Sequence, residues 1–159
     1  MRATLLMTAA YSASSARDRH TAHSLLGEAE DTIHRASSGG RLTLYTVDAT
    51  AAQVDLYRIG VATALGTPDE GVAYARRIDP ARLPTNERRA RYWTDTARMW
   101  HALGDDKRTF GALRAIEMAA PEEARRPAIQ SLTELLLFAP ASNLPGLKDF
   151  AHRTGVSPV

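Results

Sequence analysis

The chain has 159 residues, of which 44% are hydrophobic and 24% charged, and its formal net charge is +2. This size and composition are typical of one soluble globular domain and exclude a disordered chain or a membrane span. The absence of cysteine excludes disulfides, thiol nucleophiles and iron–sulfur clusters, and fits a reducing compartment. The first residues lack the long apolar segment of a signal peptide, so the sequence predicts a cytoplasmic protein without membrane contact.

The charges are mixed along the chain and do not form a basic stripe. The 18 arginines and 2 lysines are offset by 18 acidic residues. A nucleic-acid-binding face would show clustered positive charge. The arginine pairs have acidic neighbours instead, and we interpret them as solvated helix surface: Arg76 and Arg77 with Asp79, Arg88 and Arg89 with Glu87, Arg125 and Arg126 with Glu122 and Glu123.

The first stretch, about residues 2–36, predicts a pair of helices joined by a turn at Arg17 and Asp18. Apolar and small residues recur at helical spacing on both sides of that turn. No Ser, Thr or Asp precedes the apolar residues of the first helix to cap it. We therefore expect a fragment of a longer protein, the alternative being a natural short protein whose first turn frays.

The second stretch, about residues 43–79, repeats this plan after a candidate linker at Ser37–Gly40. A helix from about Tyr45 to Leu65 is followed by a turn at Gly66. Thr67, Pro68 and Glu70 then fit an N-cap, a first helical position and a capping box. Residues 42–47 alternate like a short strand, but no second strand is available to pair with them, and we predict a lead-in to the helix.

The third stretch, residues 84–120, shows the plan most clearly. Gly104 is expected to end its first helix, and Asp105 or Asp106 to cap the second. This stretch resembles a tetratricopeptide repeat, in which two helices pack as a pair. The resemblance lies in its order of aromatic, small, aromatic, Gly-Asp, large apolar and Pro positions. These positions are Trp93, Ala97, Trp100, Gly104, Asp105, Leu113 and Pro121. The first two stretches depart from the pattern, with Arg17 where Gly is usual.

Residues 121–154 are predicted to cap this stack. The run 128–138 is apolar on nearly every side, so we expect it to pack between the last repeat and a closing helix from about Leu144 or Pro145 to Arg153. The predicted fold is therefore all-α, a single tetratricopeptide-like domain over 1–159 with about three helix pairs plus C-terminal capping helices. Candidate homodimer contacts on the apolar run are Leu132, Leu135, Leu136 and Phe138.

Three sequence segments show a second resemblance, which covers nearly the whole chain. LGTPDEGVAYARRIDPARLP, ERRARYWTDTARMWHALGDD and LPGLKDFAHRTG resemble the C-terminal tetratricopeptide-like region of actinobacterial Xre-type helix-turn-helix transcriptional regulators. The resemblance implies a region that senses a ligand or mediates self-association. It also implies that DNA is contacted only through a domain absent from this chain.

The sequence carries no recognisable catalytic motif. It has no phosphate-binding Gly-rich loop, no HExxH, no GxSxG elbow and no calcium loop. His20 and His23 have no third ligand at metal-like spacing, and Glu28, Glu30 and Asp31 are interpreted as a solvated helix face. We therefore predict no enzyme, no cofactor and no metal.

The concave face of the stack is the candidate binding surface. The first helix of each pair would line it, with Thr4, Met7, Tyr11 and Ser14, then Gln53, Leu56, Gly60 and Thr63, then Arg91, Thr94, Arg98 and His101. The candidate ligand residues among them are Tyr11, Gln53, Leu56, Arg91, Thr94, Arg98 and His101. Arg91 and Arg98 share a helix face and could hold one carboxylate, or could simply pair with Asp95 or Glu87.

Two functions follow from this surface. The first is a regulatory domain that binds a peptide or small-molecule effector with an anionic group in the groove. The alternative is a protein–protein interaction scaffold, or a homodimerisation module without an effector.

Overall fold

The computed structural model describes residues 2–38, 50–139 and 143–156. Every regular element within these ranges is a helix, which confirms the predicted all-α fold class. The chain divides into two compact units, Met1–Ile78 and Asp79–Val159, and this boundary falls where the second predicted repeat ends. The strand-like segment 42–47 and the linker residues Gly39 and Gly40 lie outside the described residues. The single stack over 1–159 stays a prediction, and each unit is described by itself.

Within residues 2–38 and 50–78, the first unit consists of two helix pairs. The first pair packs on the third helix, and apolar side chains such as Met7, Leu26 and Val54 form the buried cluster among them. Buried alanines, among them Ala10 and Ala22, let the helix backbones approach closely. The four helices are Arg2–Ser15 (α1), Arg19–Ser38 (α2), Ala51–Leu65 (α3) and Pro68–Ala75 (α4).

The two tight turns of this unit both use the left-handed backbone region. Gly66 ends α3 with φ of 82°, and Arg17 joins α1 to α2 with φ of 62°. Arg17 therefore adopts the conformation that Gly usually supplies at this position of the repeat. Asp18 accepts a hydrogen bond from the backbone N–H of Thr21 at 3.0 Å and caps α2.

Two local predictions in the first unit are wrong. Ser37 and Ser38 belong to the last turn of α2 and not to a linker. Thr67 stands at the N-cap of α4, but its side chain makes no capping hydrogen bond, because the hydroxyl is directed back at the carbonyl of Ala62, 3.4 Å away. Pro68 at the first helical position is as predicted.

The second unit begins with a short 3-10 turn at Pro80–Arg82, and its described residues, 79–139 and 143–156, continue as five helices. The first two form the predicted repeat pair, and the later helices pack on it and on one another. Leu113, Ile116, Leu136 and Phe150 are fully buried in its core. The helices are Asn86–Ala102 (α5), Asp106–Ala119 (α6), Pro121–Ala124 (α7), Pro127–Leu137 (α8) and Leu147–Thr154 (α9).

The helix ends of the second unit follow the sequence signals closely. Gly104 has φ of 74°, and Asp105 caps α6 by accepting the Arg108 N–H at 2.8 Å. The closing helix α9 begins at Leu147, later than predicted, because Gly146 before it takes a left-handed φ of 84°. The apolar run 128–138 corresponds to α8, which α6 and α9 contact as predicted.

Candidate functional site

Four of the residues predicted to line the groove are buried. Met7 and Ser14 lie in α1, Leu56 and Gly60 in α3, and Leu56 is only 4% exposed. Residues three and four apart share one helix face, so Met7 and Ser14 lie with Ala10 on the face that packs inward. These four residues contribute to the interior, and the prediction that they line a groove is wrong.

Tyr11 and Gln53 keep part of their surface accessible in the first unit. Thr4 and Thr63, predicted beside them, are also partly exposed. The side-chain oxygen Oε1 of Gln53 is buried, and nothing in the described part of the chain hydrogen-bonds to it. Tyr11, Gln53, Thr4 and Thr63 are therefore accessible, and none of these four side chains is charged at neutral pH.

Helix α5 carries the four predicted binding residues of the second unit. Arg91 and Arg98 are two turns apart, and their side chains are 45% and 39% exposed. Thr94 and His101 are partly exposed on the same helix. The helix is fixed at its start by Thr85, whose hydroxyl accepts the Arg88 N–H at 3.1 Å, and its Ala90, Trp93 and Ala97 pack on the core of the unit.

A buried carboxylate lies between the two arginines. Asp95 is 1% exposed, and its Oδ2 accepts a hydrogen bond from Arg91 Nε at 2.8 Å. Its other oxygen, Oδ1, is 4.0 Å from Arg98 Nη1, which is beyond hydrogen-bond distance. The structure therefore shows the alternative pairing, in which both arginines take Asp95 as their ionic partner. We call Arg91, Asp95 and Arg98 the α5 cluster.

The Oδ1 atom of Asp95 is the unusual feature of this cluster. It is buried, and no described residue donates a hydrogen bond to it. Burial raises the pKa of the Asp95 carboxyl above its usual 3.8, although the neighbouring Arg91 and Arg98 act in the opposite direction. A buried acceptor oxygen that lacks a donor is uncommon in proteins and is a place where an additional donor would be stabilised.

His101 continues this side of the helix one turn beyond Arg98. Its Nδ1 atom is buried and lacks a hydrogen-bond partner among the residues that the structure describes. Sequence reasoning named His101 and both arginines but treated Asp95 only as a possible partner of the arginines. The spacing of one acid between two arginines at i−4 and i+3 shows that they can meet, but it contains no information on the burial of the acid.

The other ion-pair network, in the first unit, is satisfied internally. Arg58 bonds Glu30 at 2.6 Å and Asp55 at 3.2 Å, and its guanidinium lies 5.3 Å from the ring centre of Tyr74. The hydrogen bond from Arg58 lowers the pKa of Glu30. Because the cations and anions of this network already pair with one another across α2, α3 and α4, we assign it a structural role.

The predicted dimer contacts on α8 divide into two groups. Leu132 and Leu136 are buried in the core of the second unit, so the prediction that they form an interface is wrong. The helical repeat directs these two side chains inward toward α6 and α9. Leu135 and Phe138 lie on the outer side and are 55% and 67% exposed.

Three further features of the described ranges concern metal binding, a cavity and membrane spans. No group of three or more His, Cys, Asp or Glu residues that could hold a metal ion occurs there. An open cavity of about 530 Å³ lies at the start of α2 and is lined by Arg19, His20, His23 and Ser24. Arg19 already pairs with Glu70 at 3.2 Å. None of the described helices is long and apolar enough to cross a membrane.

Comparison with models of protein families, with curated proteins and with solved structures finds no match for this chain. The resemblance to Xre-type regulators accordingly stays a prediction from the sequence. The proposal for function is therefore argued from the charges and hydrogen bonds of the α5 cluster.

Proposed function

We propose that this chain is the regulatory domain of a transcriptional regulator and that it binds an effector with an anionic group at the α5 cluster. Two observations support the proposal. The phrases of the sequence resemble the sensing region of Xre-type regulators, and two half-exposed arginines lie on one face of α5. DNA would be contacted by a separate helix-turn-helix domain, as in the family that the sequence resembles.

The observation that carries the proposal is the position of Arg98. A guanidinium has five N–H donors, and the 4.0 Å approach of Arg98 to Asp95 uses none of them as a hydrogen bond. Its side chain is 39% exposed, so an anion in solution can reach it. Arginine donors bind carboxylates and phosphates with directed, charge-assisted hydrogen bonds.

Regulation requires that the effector discriminate between two arrangements of the domain, because equal affinity for both shifts no equilibrium. The α5 cluster offers a source of this difference. An anion bound to Arg98 weakens the attraction between Arg98 and Asp95, and Asp95 lies buried within the helix packing. We propose that this change in the ion pair is the first step by which binding alters the domain.

Thermal unfolding of the full chain with a panel of carboxylates and phosphates tests this function. A ligand at about 100 times its Kd adds about 2.7 kcal/mol of stability and raises Tm by several degrees. We expect Arg98→Gln to weaken the binding of such a ligand at least about tenfold. Arg114→Gln, an exposed arginine on α6, is the matched control and should change nothing.

Two results would contradict the proposed function. One is that no anion in the panel stabilises the protein. The other is that Arg98→Gln and Arg114→Gln bind the stabilising anion as well as the natural chain does.

A second candidate function is homodimerisation through the outer side of α8. Leu135 of α8 and Phe138, the C-cap residue of α8, are exposed there and lie three residues apart. Burying both side chains against another copy would contribute about 1.5–3 kcal/mol for each. Light scattering should then show a dimer that Leu135→Ser with Phe138→Ser converts to a monomer. Met118→Ser removes a side chain of α6 that is 85% exposed and should leave the dimer intact.

A further inference from the structure

We infer that the effector of the α5 cluster is a free α-amino acid, whose carboxylate binds Arg98 and whose ammonium group binds Oδ1 of Asp95. This inference rests on the proposed function and specifies the chemistry of the ligand. It assigns to Asp95, which sequence reasoning did not include among the binding residues, the role of selecting the effector.

The first step is the pairing requirement of Oδ1. This oxygen is buried, and within the described part of the chain nothing donates a hydrogen bond to it. Its partner oxygen Oδ2 already accepts from Arg91 Nε at 2.8 Å. A donor supplied by a ligand would therefore be bound at Oδ1, and a positively charged donor would form the stronger, charge-assisted bond.

Second, the distance between the Asp95 carboxylate and the Arg98 guanidinium fits the two charged groups of an α-amino acid. Oδ1 of Asp95 and Nη1 of Arg98 are 4.0 Å apart, too far for a direct hydrogen bond. In an α-amino acid the nitrogen and the nearer carboxylate oxygen are separated by about 2.7 Å, which follows from standard bond lengths and angles. Such a pair can lie alongside Oδ1 and Nη1 and form both hydrogen bonds at about 2.8 Å.

Third, a ligand can reach the buried carboxylate of Asp95 along the Arg98 side chain. Asp95 is 1% exposed, whereas the Arg98 side chain is 39% exposed and comes within 4.0 Å of Oδ1. Arg98 thus extends from the buried oxygen to the protein surface. A ligand whose carboxylate hydrogen-bonds to this guanidinium places its neighbouring ammonium group next to Oδ1.

The fourth step is selectivity. A plain carboxylate bound to Arg98 has no donor for Oδ1, and its negative charge lies next to that of Asp95. A site that holds a buried, unpaired acceptor discriminates strongly against the analogue that lacks the donor. An α-amino acid has one charge for each of the two groups, so it meets both requirements.

The experiment compares free L-amino acids with close analogues on the natural 159-residue chain. Each of the twenty amino acids is titrated by calorimetry beside its des-amino carboxylate and its carboxamide, for example L-alanine, propionate and L-alaninamide. We expect at least one amino acid to bind saturably, and both of its analogues to bind at least about tenfold more weakly.

Two variants locate this selectivity. Asp95→Asn should reduce the preference for the amino acid over its des-amino carboxylate to less than about threefold, because the ammonium group loses its charged acceptor. Arg98→Gln should weaken the binding of both the amino acid and its des-amino carboxylate. Asp31→Asn, an exposed acid on α2, should keep the preference unchanged.

The possible failures are distinguishable. If a carboxylate binds through Arg98 but its amino acid binds no better, the inference is wrong and the proposed function stands. If no anion and no amino acid binds at all, both are wrong. If Asp95→Asn fails to fold, the inference is still tested by comparing the binding of each amino acid and its analogues to the natural chain. Equal binding of an amino acid and its des-amino carboxylate would contradict it.

Discussion

At the scale of single residues, Arg17 has a strained backbone conformation at a position where the repeat pattern usually has glycine. Its φ of 62° places an L-residue with a long side chain in the left-handed region. That conformation costs about 1 kcal/mol for a residue with a Cβ atom, and glycine avoids this cost. We therefore expect Arg17→Gly to raise the free energy of unfolding by up to about 1 kcal/mol, measured by urea denaturation.

The control for this substitution is the adjacent exposed residue. Ala16→Gly introduces the same flexibility in the unfolded chain without relieving a positive φ, so it should be neutral or destabilising. Arg17→Asn, which also tolerates the left-handed region, should fall between the natural protein and Arg17→Gly. A loss of stability in Arg17→Gly would show that contacts of the arginine outweigh its backbone strain.

Asp95 leads to a prediction on pH. Because burial raises its pKa above 3.8, folding favours the protonated carboxyl, and the folded protein binds more protons than the unfolded chain just above pH 3.8. The stability that this group contributes is therefore fully present below pH 3.8 and is lost as the pH rises through the raised pKa. Asp95→Asn removes this dependence.

We accordingly expect the natural protein to lose stability relative to Asp95→Asn as the pH rises from about 4 through the raised pKa, measured by urea unfolding of both proteins at each pH. The exposed Asp31→Asn variant should follow the natural protein in parallel. A difference between the natural protein and Asp95→Asn that stays constant or changes in the opposite direction would contradict the role of burial.

At the scale of helices, two threonines at N-caps differ in what they contribute. The Thr85 hydroxyl accepts the Arg88 N–H at the start of α5, whereas Thr67 makes no side-chain capping bond at the start of α4. Thr85→Ala should cost about 1 kcal/mol of stability, and Thr67→Ala less than half of that. Circular dichroism during urea unfolding provides the measurement. Equal losses would show that the two helix starts depend on something other than the cap.

The same two positions show how far sequence reasoning reaches at this scale. Helix ends at Gly66, Gly104 and Asp105 were predictable because a positive φ and an N-cap each favour particular residue types. Thr67 fits its capping motif equally well, but the direction of its hydroxyl depends on the local backbone. That direction is not encoded in the spacing of the motif.

The candidate site was predictable to a smaller degree. The spacing of Arg91 and Arg98 placed them on one helix face, and the structure agrees. The burial of Asp95, Leu56 and Met7 depends on which sides of their helices are covered by other elements. The 3.6-residue period identifies faces of a helix, but only tertiary packing determines which faces remain accessible.

At the scale of the whole molecule, the arginines are distributed among acidic partners. Nine of the 18 arginines form ion pairs with Asp or Glu in the described ranges: Arg2, Arg19, Arg58, Arg77, Arg91, Arg98, Arg108, Arg126 and Arg153. Arg126, which we interpret from the sequence as solvated helix surface, is 68% exposed and lies 2.6 Å from Glu123. Pairing of this kind reduces the positive potential that a phosphate backbone would meet.

This distribution predicts weak DNA binding by the chain itself. Affinity for duplex DNA comes largely from unpaired cations that displace counterions from phosphates, and the net charge here is +2. At about 150 mM NaCl we expect a Kd weaker than about 10 µM for any 20-base-pair duplex, with little dependence on base sequence. Fluorescence anisotropy at several salt concentrations measures both quantities. Submicromolar binding that falls steeply with salt would instead place a DNA-contacting surface within this chain.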